Sequence, residues 1–201
     1  MKLAAVIADS AKISEEVIKS HLDFLPGFEL CIFSDNVDNY RPKSRFFLIN
    51  PMRSVWDYNN LLTSVWFWEK LQDYDRVLIF QQDSGLLRPG IEDFLEWDYV
   101  GAPWREGAPW ARKDRKGGNG GLSLRNPRKC LSLLRRIKYN ARIGYEDCYF
   151  SHHLDKIGGK IAPFEVCQKF SVETVYYSQP LGYHAIDKHL TPDQVNSIRN
   201  A

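Results

Sequence analysis

The chain has 201 residues, 44% of them hydrophobic and 26% charged, and its 27 Lys+Arg against 25 Asp+Glu leave a formal charge of +2. That balance supplies no basic field for nucleic acid, and the length is that of a single domain, residues 1–201, able to bury its own core. Four cysteines (Cys31, Cys130, Cys148, Cys167) stand far apart with no C-x-x-C pair, which argues against a zinc knuckle or a disulfide framework and suits a reducing, cytoplasmic setting.

The apolar start, Leu3 to Ala8, is too short for a membrane span and lacks a signal-peptide pattern, so it reads as a first buried strand. Ser14-Glu15-Glu16 opens a helix that Pro26-Gly27 stops, and strands follow at Glu29–Phe33 and Arg45–Ile49. Strand, helix and strand in quick succession imply a right-handed crossover and parallel pairing. From Val55 to Leu71, the residues Leu61, Leu62, Val65, Trp68 and Leu71 form one apolar stripe, predicting a single helix packed on the sheet. Asp57, Tyr58 and Asn59 near its start are placed to meet a ligand, although an N-cap with an aromatic staple accounts for them equally well.

Arg76-Val77-Leu78-Ile79-Phe80 is an unbroken apolar run, expected as a strand buried on both faces, and it ends in Gln81-Gln82-Asp83-Ser84-Gly85. Open α/β sheets take ligands beyond the carboxyl ends of their strands, which puts Asp83 where a ligand or metal is met. A short helix at Ile91–Leu95 and a strand within Asp98–Trp104 come next. The loop from Arg105 to Lys116 holds five basic residues against two acidic ones, the chemistry of a lid or binding loop. In Gly117-Gly118-Asn119-Gly120-Gly121, four glycines allow positive φ and close backbone approach, while neither a phosphate loop nor a dinucleotide fingerprint fits.

A strand at Leu122–Leu124 and a helix capped by Asn126-Pro127 follow that turn. Glu146-Asp147 open another helix, where two carboxylates gain from the dipole and one is a candidate general base if the helix end faces a cleft. The adjacent His152 and His153 point to different sides and are assigned no ligand role. Helical turns at Phe164–Phe170, an edge segment at Ser171–Val175, a late His184 and a terminal helix from Thr191-Pro192 complete the chain. The aromatic share of 13%, with six Trp and ten Tyr, suits stacking on carbohydrate or bases as well as filling a core.

Taken together, Tyr58-Asn59, Val77–Ser84, Asp98–Trp104, Gly118–Arg125, Glu146–Phe150, Phe170–Glu173 and Gly182-Tyr183-His184 resemble the glycosyltransferases of the GT-A fold, and more closely a family of small GT-A-like domains. The resemblance covers roughly residues 3 to 186 and implies an α/β, Rossmann-like fold with a mixed, mostly parallel sheet flanked by helices. It implies a hexosyltransferase-like enzyme moving a sugar from a nucleotide-diphosphate sugar to a hydroxyl of a glycan or glycolipid, as in polysaccharide biosynthesis, with inversion.

In such enzymes the last Asp of an Asp-x-Asp triplet holds a divalent metal on the donor diphosphate. The matching triplet here is Gln81-Gln82-Asp83, so Asp83 inherits the metal role with His184 completing it, for Mn²⁺ or Mg²⁺. Gln81 replaces the first Asp. The donor-binding set implied is Asp57, Tyr58, Asn59, Gln81, Gln82, Asn119, Gly120 and Gly121. Asp147 is the expected base, with Glu146 as its alternate or as an acceptor-binding residue. Arg112, Lys113, Arg115 and Lys116 would neutralise the leaving diphosphate if their loop closes. The missing first Asp also motivates an alternative, a sugar-nucleotide or glycan-binding domain that has lost catalysis.

Overall fold

A computed structural model describes residues 1–140, 142 and 144–200. Its first half comprises β1 (Leu3–Ala8), α1 (Glu15–Leu22), β2 (Glu29–Ser34), β3 (Arg45–Leu48), α2 (Val55–Leu62), α3 (Val65–Leu71), β4 (Arg76–Phe80), β5 (Ser84–Leu86) and β6 (Tyr99–Ala102). Its second half comprises β7 (Asn119–Arg125), α4 (Pro127–Arg136), α5 (Glu146–His153), α6 (Phe164–Phe170), β8 (Ser171–Val172), β9 (Gly182–His184), α7 (Ile186–His189) and α8 (Pro192–Arg199).

Six strands form the main sheet in the order β3-β2-β1-β4-β7-β6. The pairs β1–β2, β1–β4 and β2–β3 are parallel, whereas β7 runs antiparallel to both β4 and β6. The fold is the expected Rossmann-like α/β arrangement with a mixed, mostly parallel sheet. Because successive side chains leave a strand on opposite faces, a sheet covered on both sides needs apolar residues at every position. Val77 and Ile79 accordingly join Phe67, Trp68 and Phe150 in one layer, while Leu78 and Phe80 join Ile18, Phe170 and Leu181 in the other. Among the described residues no helix is long and apolar enough to cross a membrane.

Three expectations are corrected. The single helix over 55–71 is two, because Ser64 caps a new helix by accepting from the Phe67 amide at 3.2 Å, and Trp68 Nε1 donates to the Leu62 carbonyl at 2.6 Å across the break. The short helix after Pro89 is a 3₁₀ turn at Ile91–Phe94. The glycine turn is only half a turn: Gly117 and Gly118 have φ of 82° and 131°, but β7 already begins at Asn119 and carries Gly120 and Gly121 as strand residues.

A second, small sheet has the order β5-β9-β8, with β5 antiparallel and β8 parallel to β9. Its register sets Ser84 opposite His184 and so brings the end of the chain to the end of β4. Segments as short as Ser84–Leu86 and Ile186–His189 show no period in sequence, and neither was anticipated.

Candidate functional site

The order of the main sheet reverses at β1, with β2 and β3 on one side and β4 on the other, and the crevice beyond their carboxyl ends is the usual ligand position. A cavity of about 640 Å³ lies there, lined by Ala8 and Asp9 at the end of β1, Gln81–Asp83 just beyond β4, and Arg53, Ser54 and Tyr58 at the entry to α2. A second cavity of about 230 Å³ shares Val55, Tyr58 and Gln81 with the first and reaches Asn119–Gly121, Glu146, Asp147 and His184. The two form one cleft.

At the β4 end, the Ala185 amide donates to the Asp83 carbonyl at 2.9 Å, and Ala185 itself is left-handed at φ 50°. That bend returns the chain so that α7 presents Lys188, whose Nζ donates to Asp83 Oδ2 at 2.7 Å. His184 Nε2 lies 3.2 Å from Asp83 Oδ1 and 2.9 Å from Gln81 Oε1, while its Nδ1 is 3.4 Å from Glu173 Oε1. Hydrogen bonding to His184, more than that to Lys188, holds the Asp83 carboxyl well below the usual range despite partial burial. Burial pulls the His184 imidazole down, but the Asp83 and Glu173 carboxylates facing its two nitrogens prevail and raise it to about 9. The turn is seated from below by His21, which stacks on Phe80 at 4.2 Å, donates Nδ1 to Val17 O at 2.8 Å and approaches the Ser84 hydroxyl at 3.2 Å. Burial lowers His21 to about 4, so it packs as a neutral ring.

The other end is built on a buried ion pair. Arg125 closes β7, and its guanidinium grips both oxygens of Glu146 at 2.5 and 2.9 Å with essentially no solvent exposure on either side. Asn59 fixes the same helix start by accepting from the Glu146 amide at 2.6 Å, and it donates to Val55 O at 2.6 Å. Asp147 is thereby aimed at β7: Oδ2 accepts from the Gly120 amide at 3.2 Å and Oδ1 from the Cys148 amide at 2.7 Å. Burial first, and the Glu146 charge second, push the Asp147 carboxyl up to about 7 against those hydrogen bonds and Arg125. A carboxylate titrating there is suited to accept a proton at neutral pH.

The structure brings Tyr58, Gln81, Asp83, Asn119, Gly120, Gly121, Glu146, Asp147 and His184 to this cleft. Asp57 turns instead to its own helix start, accepting from the Arg53 amide at 2.9 Å and the Ser54 hydroxyl at 2.8 Å, and lines a separate cavity of about 520 Å³ with Met52 and Trp66. Asn59 is spent on the helix start. Gln82 lines the cleft but bridges loops, donating to Asp9 at 2.7 Å and accepting from the Ser14 amide at 3.2 Å. Glu146, paired to Arg125, is not a free base.

Three cations of the 105–116 loop are engaged elsewhere. Arg112 binds Asp114 and Asp155, Lys116 lies 3.6 Å from Asp114, and Arg115 lies 3.8 Å over the Phe164 ring. Sequence reasoning missed Lys188 and Arg125. The available signals were a lysine four residues beyond His184 and a lone cation ending the strand that carries Leu122 and Leu124.

Among the described residues no group of three or more His, Cys, Asp or Glu is gathered to hold a metal. Three donor atoms nevertheless converge, Gln81 Oε1, His184 Nε2 and Asp83 Oδ1, with His184 Nε2 2.9 and 3.2 Å from the two oxygens. An octahedral site with bonds of about 2.1 Å has donor–donor edges of about 3.0 Å, which both of these distances match for Mg²⁺ or Mn²⁺ once His184 gives up its Nε2 proton. Glu173 behind Nδ1 is the kind of partner that orients a metal-binding imidazole. The Tyr58 hydroxyl is buried in the same cleft without a hydrogen-bond partner.

Gly120 and Gly121 are required by space. A Cβ on Gly121 would sit 2.2 Å from His184 Nε2, and one on Gly120 would sit 2.4 Å from Glu146 Oε1. Gly121→Ala is expected to push the His184 ring off Asp83 and Gln81 and to cost about 1–3 kcal/mol as an overpacking change. Thermal melts check this: a variant as stable as the parent would mean that the ring swings away freely.

No curated protein matches the chain in sequence. Among solved structures, it is similar to one described as "Crystal Structure of A197 from STIV", with 16% identity, coverage of 77% of this chain and 78% of that chain, and a TM-score of 0.43. Residues 41–184, which contain the cleft from Arg53 to His184, match the family described as "Protein of unknown function (DUF5672)", and the chain belongs to that family.

Proposed function

We propose that the cleft transfers a sugar from a nucleotide-diphosphate donor to a hydroxyl acceptor with inversion. The observation that carries this reading is the placement of an Asp147 carboxylate pushed up to about 7 at one end of a cleft whose other end holds the Gln81–Asp83–His184 cluster. A base and a charge-neutralising site separated along one cleft suit in-line displacement. Asp147 takes the acceptor proton, the acceptor oxygen bonds to the anomeric carbon, and the bond to the diphosphate oxygen breaks with its electron pair leaving on the diphosphate.

Asp83, His184 and the Gln81 amide oxygen would hold Mn²⁺ or Mg²⁺, which supplies charge for the leaving diphosphate. Lys188 and Arg53 add protein cations beside it, and Tyr58 offers a buried hydroxyl to a donor oxygen. All four cysteines are free and buried, which supports a reducing compartment such as the cytoplasm.

A second reading, a donor- or glycan-binding domain without turnover, is favoured by one observation: Asp83 has both oxygens engaged, by His184 and Lys188. Thermal melts with UDP-, GDP-, CMP- and dTDP-linked sugars, with and without Mn²⁺, test the donor site. A ligand at about a hundred times its Kd stabilises by about 2.7 kcal/mol, or several degrees for a chain of this size. The expected result is a shift with one nucleotide class that is lost in Asp83→Ala. No shift with any donor sinks the transferase reading, and a shift without turnover selects the second.

A further inference from the structure

Trp56 and Tyr145 are 46% and 47% exposed, large values for aromatic rings, yet they stack on each other with centroids 5.4 Å apart and planes at 29°. They come from different elements, Trp56 from α2 and Tyr145 from the position just before α5. Tyr145 and the neighbouring Val55 line the cavity that contains Asp147, which lies two residues beyond Tyr145. An aromatic shelf therefore adjoins the candidate base.

We propose that the Trp56–Tyr145 pair is the acceptor platform, and that the acceptor presents a pyranose ring to it. A pyranose has an apolar C–H face edged by hydroxyls, and an exposed aromatic pair beside polar groups is complementary to both. The cavity next to the shelf favours this chemistry over a lipid tail or an apolar peptide. Apart from Val55 no aliphatic side chain lines it, and Asn119, Gln81 and Asp147 supply polar atoms. Asn119 Oδ1 accepts from the Gly121 amide at 2.8 Å, which leaves its NH₂ to donate to a hydroxyl. At about 230 Å³ the cavity is smaller than the ~300–1,000 Å³ of drug-sized pockets, so it takes a single ring with the rest of the glycan outside. The platform sets which hydroxyl reaches Asp147; Trp56 and Tyr145 are positioning residues.

The inference rests on the transferase reading for its meaning, but its test does not. Saturation-transfer NMR with methyl glucoside, methyl galactoside and methyl N-acetylglucosaminide as probes reads ring contact directly, without donor or metal. Transfer to the C–H protons of at least one pyranoside is expected, falling at least fivefold in Trp56→Ala and in Tyr145→Ala. It should be unchanged in Trp110→Ala, which removes an equally exposed tryptophan from the 105–116 loop.

No transfer in the parent protein overturns the proposal, as does transfer that survives both platform substitutions or falls equally in Trp110→Ala. Donor melts on the same variants separate the two ideas. A donor shift with no pyranoside contact discards the platform alone, and pyranoside contact with no donor shift keeps the platform as a glycan site while discarding transfer.

Discussion

Asp147→Asn is expected to lower kcat by about 10²–10⁴-fold, the usual contribution of a general base, while leaving donor-induced stabilisation intact. The same substitution is expected to make the protein more stable at neutral pH. In the folded chain the Asp147 carboxyl is pushed up from 3.8 to about 7, mainly by burial. The folded state therefore binds more protons than the unfolded state across that interval, and stability falls as pH rises from about 4 to about 7. The penalty is absent near pH 4 and complete above pH 7.

An interval of that size corresponds to at most about 4 kcal/mol. Asn returns less, because it offers one oxygen where two backbone amides, Gly120 and Cys148, now donate. A gain of about 1–3 kcal/mol at pH 8, or several degrees in Tm, that vanishes at pH 4 is the expected pattern. On the proposed reading the same titration is expected to set the acidic limb of kcat/KM in the parent protein, rising tenfold per pH unit up to about 7 and flat beyond. Full activity in Asp147→Asn would remove it as the base, and a melting curve that tracks the parent at every pH would show that the carboxyl carries no burial penalty.

What could be read in the sequence follows from how local each signal is. The run Arg76–Phe80 declared a strand buried on both faces, and that alone put Asp83 at the carboxyl edge of the sheet. The partner across from it depended on pairing between β5 and β9, nearly a hundred residues apart, so His184 was reachable only through resemblance and Lys188 only through its spacing from His184. Position was easier to infer than employment. Asn59 and Gln82 do lie at the cleft, yet Asn59 holds the start of α5 and Gln82 ties two loops together.

The glycines repeat this lesson at 120 and 121. Their clustering announced close approach, but the approach is made by the side chains of Glu146, Arg125 and His184, which no spacing within the turn encodes. The 105–116 loop misled for a related reason. A run of cations reads as a phosphate clamp until the acidic and aromatic partners that occupy Arg112 and Arg115, Asp155 and Phe164 among them, are placed beside it.

Arg125 and Glu146 carry the largest stability effect expected in the molecule. Arg125 is fully buried beneath the Tyr99, Phe150 and Trp68 rings, with its guanidinium 5.0, 5.3 and 6.0 Å from their centroids, and water cannot replace either member of the pair. Arg125→Met leaves the Glu146 carboxylate buried without a counter-charge and is expected to cost about 3–5 kcal/mol. Arg125→Met with Glu146→Leu should recover most of that loss, because an apolar pair of similar volume needs no desolvation of charge. Denaturant melts of the two singles and the double supply the cycle, and strict additivity would mean that the pair is not coupled.

The kinetic consequences separate the two residues where stability does not. The Glu146 charge raises the Asp147 carboxyl and the Arg125 charge lowers it. Glu146→Gln should therefore move the acidic limb of kcat/KM to lower pH, and Arg125→Met should move it to higher pH. A purely architectural pair would weaken the fold in both variants and leave the limb where it was. Opposite displacements from two destabilising substitutions require that the ion pair set the charge state of the carboxylate beside it.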